Sequence, residues 1–219
     1  MWQIAWKDLR IEWRSGEILS SMLLLAVLVV LVFAFTLEPS RLHGAAILGG
    51  LLWATLLFSG TLALNRSFLL EREGGAWTAL ALAPIDRGQI YLGKALANLV
   101  LLLVAAAVLL PLMAIVLGTK GLQPNGLLPA SIVLGMTGFA AVGTLFAAMA
   151  SRTRAREILM PLLTFPILAP LLIAAARTTT AGLTGEPLEA VRSWLLLLGA
   201  FDLVFLVAGW LFFDHVLED

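Results

Sequence analysis

Six stretches of this chain are each long and apolar enough to cross a bilayer, and no other feature limits the fold as strongly. A helix needs about 20 mostly apolar residues to traverse the hydrocarbon core. The six run from Ile18 to Leu37, Ala45 to Leu64, Ala95 to Leu117, Leu127 to Ala150, Ile158 to Ala176 and Trp194 to Phe213. Backbone polar groups cannot be left unpaired in lipid, so these stretches predict helices, and no ten-residue alternation suggests a barrel. Composition agrees: 61% of the 219 residues are hydrophobic and 13% charged. A soluble domain of this size could not hide so much apolar surface, so its solvent is largely lipid.

Six crossings put both termini on one side, and charge chooses the side. Lys7, Arg10, Arg14, Arg66, Arg72, Arg87, Lys94, Arg152, Arg154 and Arg156 flank one set of helix ends. Only Arg41, Lys120, Arg177 and Arg192 flank the other. Lys and Arg favour the cytoplasmic side, which places both termini in the cytoplasm. The outer loops are short, the largest spanning Arg177 to Ser193. The net charge is zero, so no overall basic surface points to nucleic acid. The chain has no cysteine, which removes disulfides, thiolate metal sites and cysteine nucleophiles together.

Residues 1–17 precede the first span and form a separate unit. Trp2, Trp6, Leu9 and Trp13 recur at helical spacing, with Lys7, Asp8, Arg10, Glu12 and Arg14 between them. This predicts an amphipathic helix in the bilayer interface, ahead of a six-helix transmembrane domain over residues 18–219.

The long inward loop, residues 65–94, holds GQIYLGKA from Gly88 to Ala95. It reads G-x-x-x-x-G-K and lacks the Ser or Thr that a phosphate-binding loop needs next. Asp86, three residues before Gln89, opens a helix as in a capping box, so Gly88 to Lys94 reads as helix and not as a nucleotide cradle. Lys94 then reads as a basic anchor at the membrane surface. Upstream, Gly74-Gly75 interrupts the helix leaving the second span, Ala76 to Ala83 forms a compact helix, and Pro84 ends it. Leu80 and Leu82, flanked by Glu71, Arg72, Glu73 and Arg87, make a surface suited to a protein partner or to lying on the bilayer.

These residues resemble the membrane subunits of ABC-2-type exporters. The pattern is an acidic turn, a short helix ending in L-x-L-x-P, a polar pair and a G-K that opens the next span. Here it reads ERE-GG-AWTALALAP-IDRGQIYLGK. More narrowly the chain resembles the haem exporter protein B (CcmB) family of cytochrome c maturation, through WATLLFSGTLALNRSF from Trp53 to Phe68, six spans and short outer loops.

The resemblance implies an all-α ABC-2-type permease in the bacterial inner membrane, without catalytic residues or a bound cofactor or metal of its own. It acts in haem delivery or in release of a haem chaperone, haem being handled as substrate. ATP and Mg are used by a separate ABC ATPase subunit. That subunit docks on a cytoplasmic coupling helix, which carries over to Glu71, Glu73, Gly74, Gly75, Leu80, Leu82, Pro84 and Arg87. A homodimer of this subunit and further cytochrome c maturation membrane proteins complete the expected assembly. The alternatives are a generic ABC-2 permease for a lipid, drug or polysaccharide, a structural scaffold, and a membrane-embedded enzyme. The last would need clustered His, Glu, Asp or Ser at one depth.

Asp202 lies near the middle of the last span, where a central Asp costs about 2.5–3.5 kcal/mol, and is either a functional group or a hydrogen-bonded carboxyl at a helix interface. The two histidines, His43 and His215, fall at opposite ends of the spans and read as interfacial residues. Pro161, Pro166 and Pro170 predict a kinked or broken fifth span. Gly135, Gly138, Gly143 and Ala147 give the fourth span a small-residue surface for packing within the chain or between copies.

Overall fold

A computed structural model describes residues 1–36, 44–73, 86–117, 122–150 and 156–218. Among them the chain forms seven helices: α1 (Trp2–Ser15), α2 (Glu17–Thr36), α3 (Gly44–Glu73), α4 (Arg87–Leu117), α5 (Leu127–Ala150), α6 (Arg156–Thr184) and α7 (Leu188–Glu218). The last six each contain a stretch able to cross a membrane, so the fold is an all-helical, multi-pass membrane protein.

Four helices, α3, α4, α6 and α7, extend several residues beyond their apolar stretches. α4 begins at Arg87, two turns before Ala95, because Asp86 caps it: its Oδ1 accepts the Gly88 N–H at 2.8 Å and its carbonyl accepts the Gln89 N–H. The cap at Asp86 is as expected, whereas the expected outer loop from Arg177 to Ser193 is corrected. α6 runs on to Thr184 and α7 starts at Leu188, leaving only residues 185–187 as a turn. The TTTAGLT run helps, since Thr178 and Thr184 return their hydroxyls to carbonyls of their own helix. Gly185 then takes φ 73°, a left-handed value that suits glycine at a helix end. α6 is helical without a break through Pro161, Pro166 and Pro170, so no broken helix occurs there.

α3 and α5 form the centre: about two-thirds of each spanning stretch is buried, against about a fifth in α2 and α7. α5 packs on α4, α6 and α7, and α3 packs on α2, α4 and α6. The small residues of α5 make this possible. A Cβ on Gly135 would overlap the Trp53 indole, one on Gly138 would come 2.5 Å from both Asp202 and Leu171, and one on Gly143 would overlap Leu64. This surface therefore packs within the chain.

Polar groups tie the spans together at several depths. Trp53 donates to Thr179 at 2.9 Å, with Ser131 at 3.2 Å from the same hydroxyl. Asn98 donates to Thr144 at 2.9 Å, joining α4 to α5. At the Gly182 end the backbone is clamped: Gln123 N–H donates to the Leu183 carbonyl at 2.7 Å and Asn125 N–H to that of Gly182 at 3.0 Å. Asn125 Nδ2 also reaches the Glu186 carbonyl. Arg177 donates two hydrogen bonds to Glu186, at 3.1 and 2.9 Å, and these hold the Glu186 carboxyl below its usual range.

Candidate functional site

The expected partner-docking segment begins and ends on described helices. Glu71 and Glu73 form the last turn of α3, and Arg87 is the first residue of α4. Gly74, Gly75, Leu80, Leu82 and Pro84 lie outside the described residues. So does His43.

The end of the bundle that borders this segment is held by close contacts, several made by residues of the G-x-x-x-x-G-K stretch. Gly88 lies directly under the Trp210 indole of α7, where a Cβ would overlap the ring. Gly93 receives the start of α1: a Cβ there would sit 2.7 Å from the Met1 carbonyl oxygen and 3.0 Å from Ile4. Tyr91, the only tyrosine of the chain, is fully buried and donates toward the carbonyl oxygens of Ala141 (3.0 Å) and Phe205 (3.2 Å). Gly209 makes room for its ring. The glycines and the lysine are thus used for helix packing, and the likeness to a phosphate loop has a structural cause.

Lys94 corrects the expectation of a surface anchor. Its side chain is 1% exposed and its Nζ lies 3.3 Å from Asp8 Oδ2 of α1. Asp8 is also paired with Lys7 at 3.0 Å. One turn further along α1, Glu12 is buried and its Oε1 accepts the N–H of Leu19, in the first turn of α2, at 2.8 Å. A carboxylate is favourable there because the first N–H groups of a helix lack partners and carry partial positive charge. Gly16, at φ 63°, turns the chain between the two helices. Arg66 of α3 pairs with Glu17 at the start of α2. α1 is therefore latched to α4 by an ion pair and to α2 by a cap.

Sequence periodicity found the tryptophan stripe of α1 but not this inner face. Trp2, Trp6 and Trp13 point away from the bundle, while Ile4, Ala5, Asp8 and Glu12 touch it. The available signal was the placement of both acids at helical spacing with Ile4 and Ala5.

Arg87 is also committed within the chain, donating to the Asp214 carbonyl near the end of α7 at 3.2 Å. Asp202 is 6% exposed and sits against Gly138, Leu171 and Phe201. Its Oδ1 has no hydrogen-bond partner, an arrangement shared among the described residues with the buried hydroxyls of Thr55 and Thr164 and with Glu12 Oε2. An unpaired buried polar atom is costly, which makes Asp202 a candidate for a role that its packing does not account for. Asp202 lies on the central packing surface and not beside the residues that frame the 74–85 segment.

The comparisons with known proteins match this architecture over nearly its whole length. The family described as CcmB protein matches residues 1–218. Heme exporter protein B of Rhodobacter capsulatus is 32% identical over 190 residues, covering 86% of each chain. That of Paracoccus denitrificans is 30% identical over 186 residues, 84% of this chain and 85% of the relative. The protein of the same name from Pseudomonas aeruginosa is 26% identical over 197 residues, 90% and 88% of the two chains. With a family match spanning all seven helices, this chain belongs to the CcmB family.

Proposed function

We propose that this chain is the membrane-spanning subunit of an ATP-driven transporter acting in haem delivery, or in release of a haem chaperone, for cytochrome c maturation. The observation that carries this reading is the family match over residues 1–218, with relatives named heme exporter protein B aligned over most of their own length. The chain works as a homodimer in the bacterial inner membrane, as the family resemblance implies, and the ten-to-four division of Lys and Arg favours both termini in the cytoplasm. It hydrolyses no ATP. Gly88, Gly93 and Lys94 are occupied by Trp210, α1 and Asp8, which supports a separate ATPase subunit. Haem is substrate and not a resident cofactor.

The ATPase docks on the 74–85 segment through Leu80 and Leu82, framed by Glu71, Glu73 and Arg87, with Gly74, Gly75 and Pro84 as the other residues of the site. Arg87 and Gly88, both tied to α7, carry the displacement of this segment into the bundle. The test is co-purification of the ATPase subunit with Leu80→Asp/Leu82→Asp. Loss of the ATPase from a permease that still extracts as a folded protein is expected. A complex that survives intact removes the coupling assignment.

A further inference from the structure

Helix α1 has three sides with three chemistries. The side against the bundle carries Ile4 and Ala5 together with both acids of the helix, Asp8 and Glu12. A second side exposes indoles, with Trp2 at 67%, Trp6 at 59% and Trp13 at 90%. The third side carries all three bases, Lys7, Arg10 and Arg14, which with Gln3, Trp6 and Ile11 line an open concavity of about 330 Å³. At 3.6 residues per turn these positions form one continuous face next to the indole stripe.

This segregation creates a surface of one sign. Glu12 is committed to the start of α2 and Asp8 is shared between Lys94 and Lys7, so three cations face one shared carboxylate and the outward field of the helix, led by Arg10 and Arg14, is positive. Indoles prefer the headgroup level of a bilayer, and cations near the surface are drawn to anionic lipids. We propose that the outward face of α1 binds the headgroup phosphates of anionic phospholipids in the adjacent leaflet, with the indoles seated beside them. The inference rests on the six-span reading of the chain and not on its transport substrate. Because α1 is latched to Lys94, two turns into α4, the bound headgroups fix the start of α4 and the emergence of the docking segment before it.

The test uses the full chain purified in neutral detergent and titrated with phosphatidylglycerol or phosphatidylcholine of matched acyl chains. Bound lipid is counted by native mass spectrometry. Preference for phosphatidylglycerol is expected, falling about fivefold for each cation removed and approaching parity in Lys7→Gln/Arg10→Gln/Arg14→Gln. Arg192→Gln, which removes one cation at the other end of the bundle, leaves the preference intact and controls for each single removal. If the triple variant does not fold, Arg10→Gln/Arg14→Gln gives the same reading, because both side chains are exposed. Equal binding of the two lipids by the natural chain, or an unchanged preference in the variants, overturns the proposal. So does displacement of phosphatidylglycerol by millimolar inorganic phosphate, which would make the site a phosphate site. A chain that retains its ATPase partner but shows no lipid preference loses this inference alone.

Discussion

Replacing Asp8 with Ala tests how α1 is held. Asp8 and Lys94 form a pair in which the lysine side chain is 1% exposed and the aspartate 15%. Removing one partner of a buried pair costs about 3–5 kcal/mol, because the other charge stays desolvated. The costs of the two single changes should therefore differ. Asp8→Ala takes the carboxylate away from a fully buried ammonium. Lys94→Met leaves a carboxylate that touches solvent and keeps Lys7 at 3.0 Å. Asp8→Ala should cost about 3 kcal/mol and Lys94→Met about 1–2. The double variant Asp8→Ala/Lys94→Met should recover most of the loss, because neither charge is then buried. The loss is capped by the docking energy of α1, since a helix that detaches lets Lys94 reach water. Thermal unfolding in detergent, followed by tryptophan fluorescence, reads the global effect. At about 2–4 °C per kcal/mol for a chain of this size, Asp8→Ala lowers the transition by roughly 6–12 °C. Limited proteolysis after Lys7 and Arg10 reads the local effect. The reasoning fails if Lys94→Met costs as much as Asp8→Ala, or if the double variant is worse than both.

Four further outcomes follow from the same geometry. Gly209→Ala should displace the Tyr91 ring and cost about 1–3 kcal/mol by overpacking, whereas Gly50→Ala, with open space at its Cβ, should be near neutral; equal unfolding temperatures would contradict this. Tyr91→Phe should cost about 1 kcal/mol through loss of its hydroxyl bonds, readable in the same melt, and no change would mean that those bonds are not maintained. Glu186 has a carboxyl held low by the Arg177 hydrogen bonds, so its contribution is present above the unfolded carboxylate range and fades as the pH falls through the folded value; Glu186→Gln should flatten the acid side of the stability profile slightly, and an effect confined to alkaline pH would contradict the assignment. Asp202→Asn preserves volume and should impair cytochrome c maturation in cells while leaving expression unchanged; full maturation would remove Asp202 from the functional candidates.

The spans were legible because a bilayer imposes one rule, about 20 apolar residues per crossing, and each of the six expected stretches lies within, or extends by at most one residue past, a described helix that crosses. What the rule could not supply was where a helix stops outside the lipid. The rule alone gives Ala95 as the start of apolar sequence; it is the Asp86 cap, also readable in the sequence, that places the helix start earlier, where α4 begins at Arg87. Arg177 looked like a loop residue by charge alone, yet it lies within α6 and pairs with Glu186, nine positions on. Lys94 was misplaced for the same reason. A charge at the edge of an apolar run reads as a surface anchor unless its partner is known, and that partner is 86 residues away in a helix identified only by its tryptophans. The assignment of Gly74 to Pro84 to partner docking rests on the family resemblance alone, since these residues lie outside the described ones and their spacing allows either a protein partner or a bilayer surface.

The clamp at the Gly182 end has a mechanical meaning. Gln123 and Asn125 join the approach to α5 onto the last turn of α6, and Gly182 brings the two backbones so close that a Cβ would sit 2.6 Å from the Leu128 nitrogen. Two rods fastened at one end can only splay at the other. For any tilt of α6 against α5 the fulcrum would lie at the clamp, and displacement would grow along the rod toward Arg156. A small tilt there is amplified over nearly 30 residues of helix, a lever arm of roughly 40 Å at 1.5 Å per residue. Slow amide exchange at Gln123 and Asn125, which donate the clamp's hydrogen bonds, with protection fading toward the far end of α6, would be the signature of such a hinge.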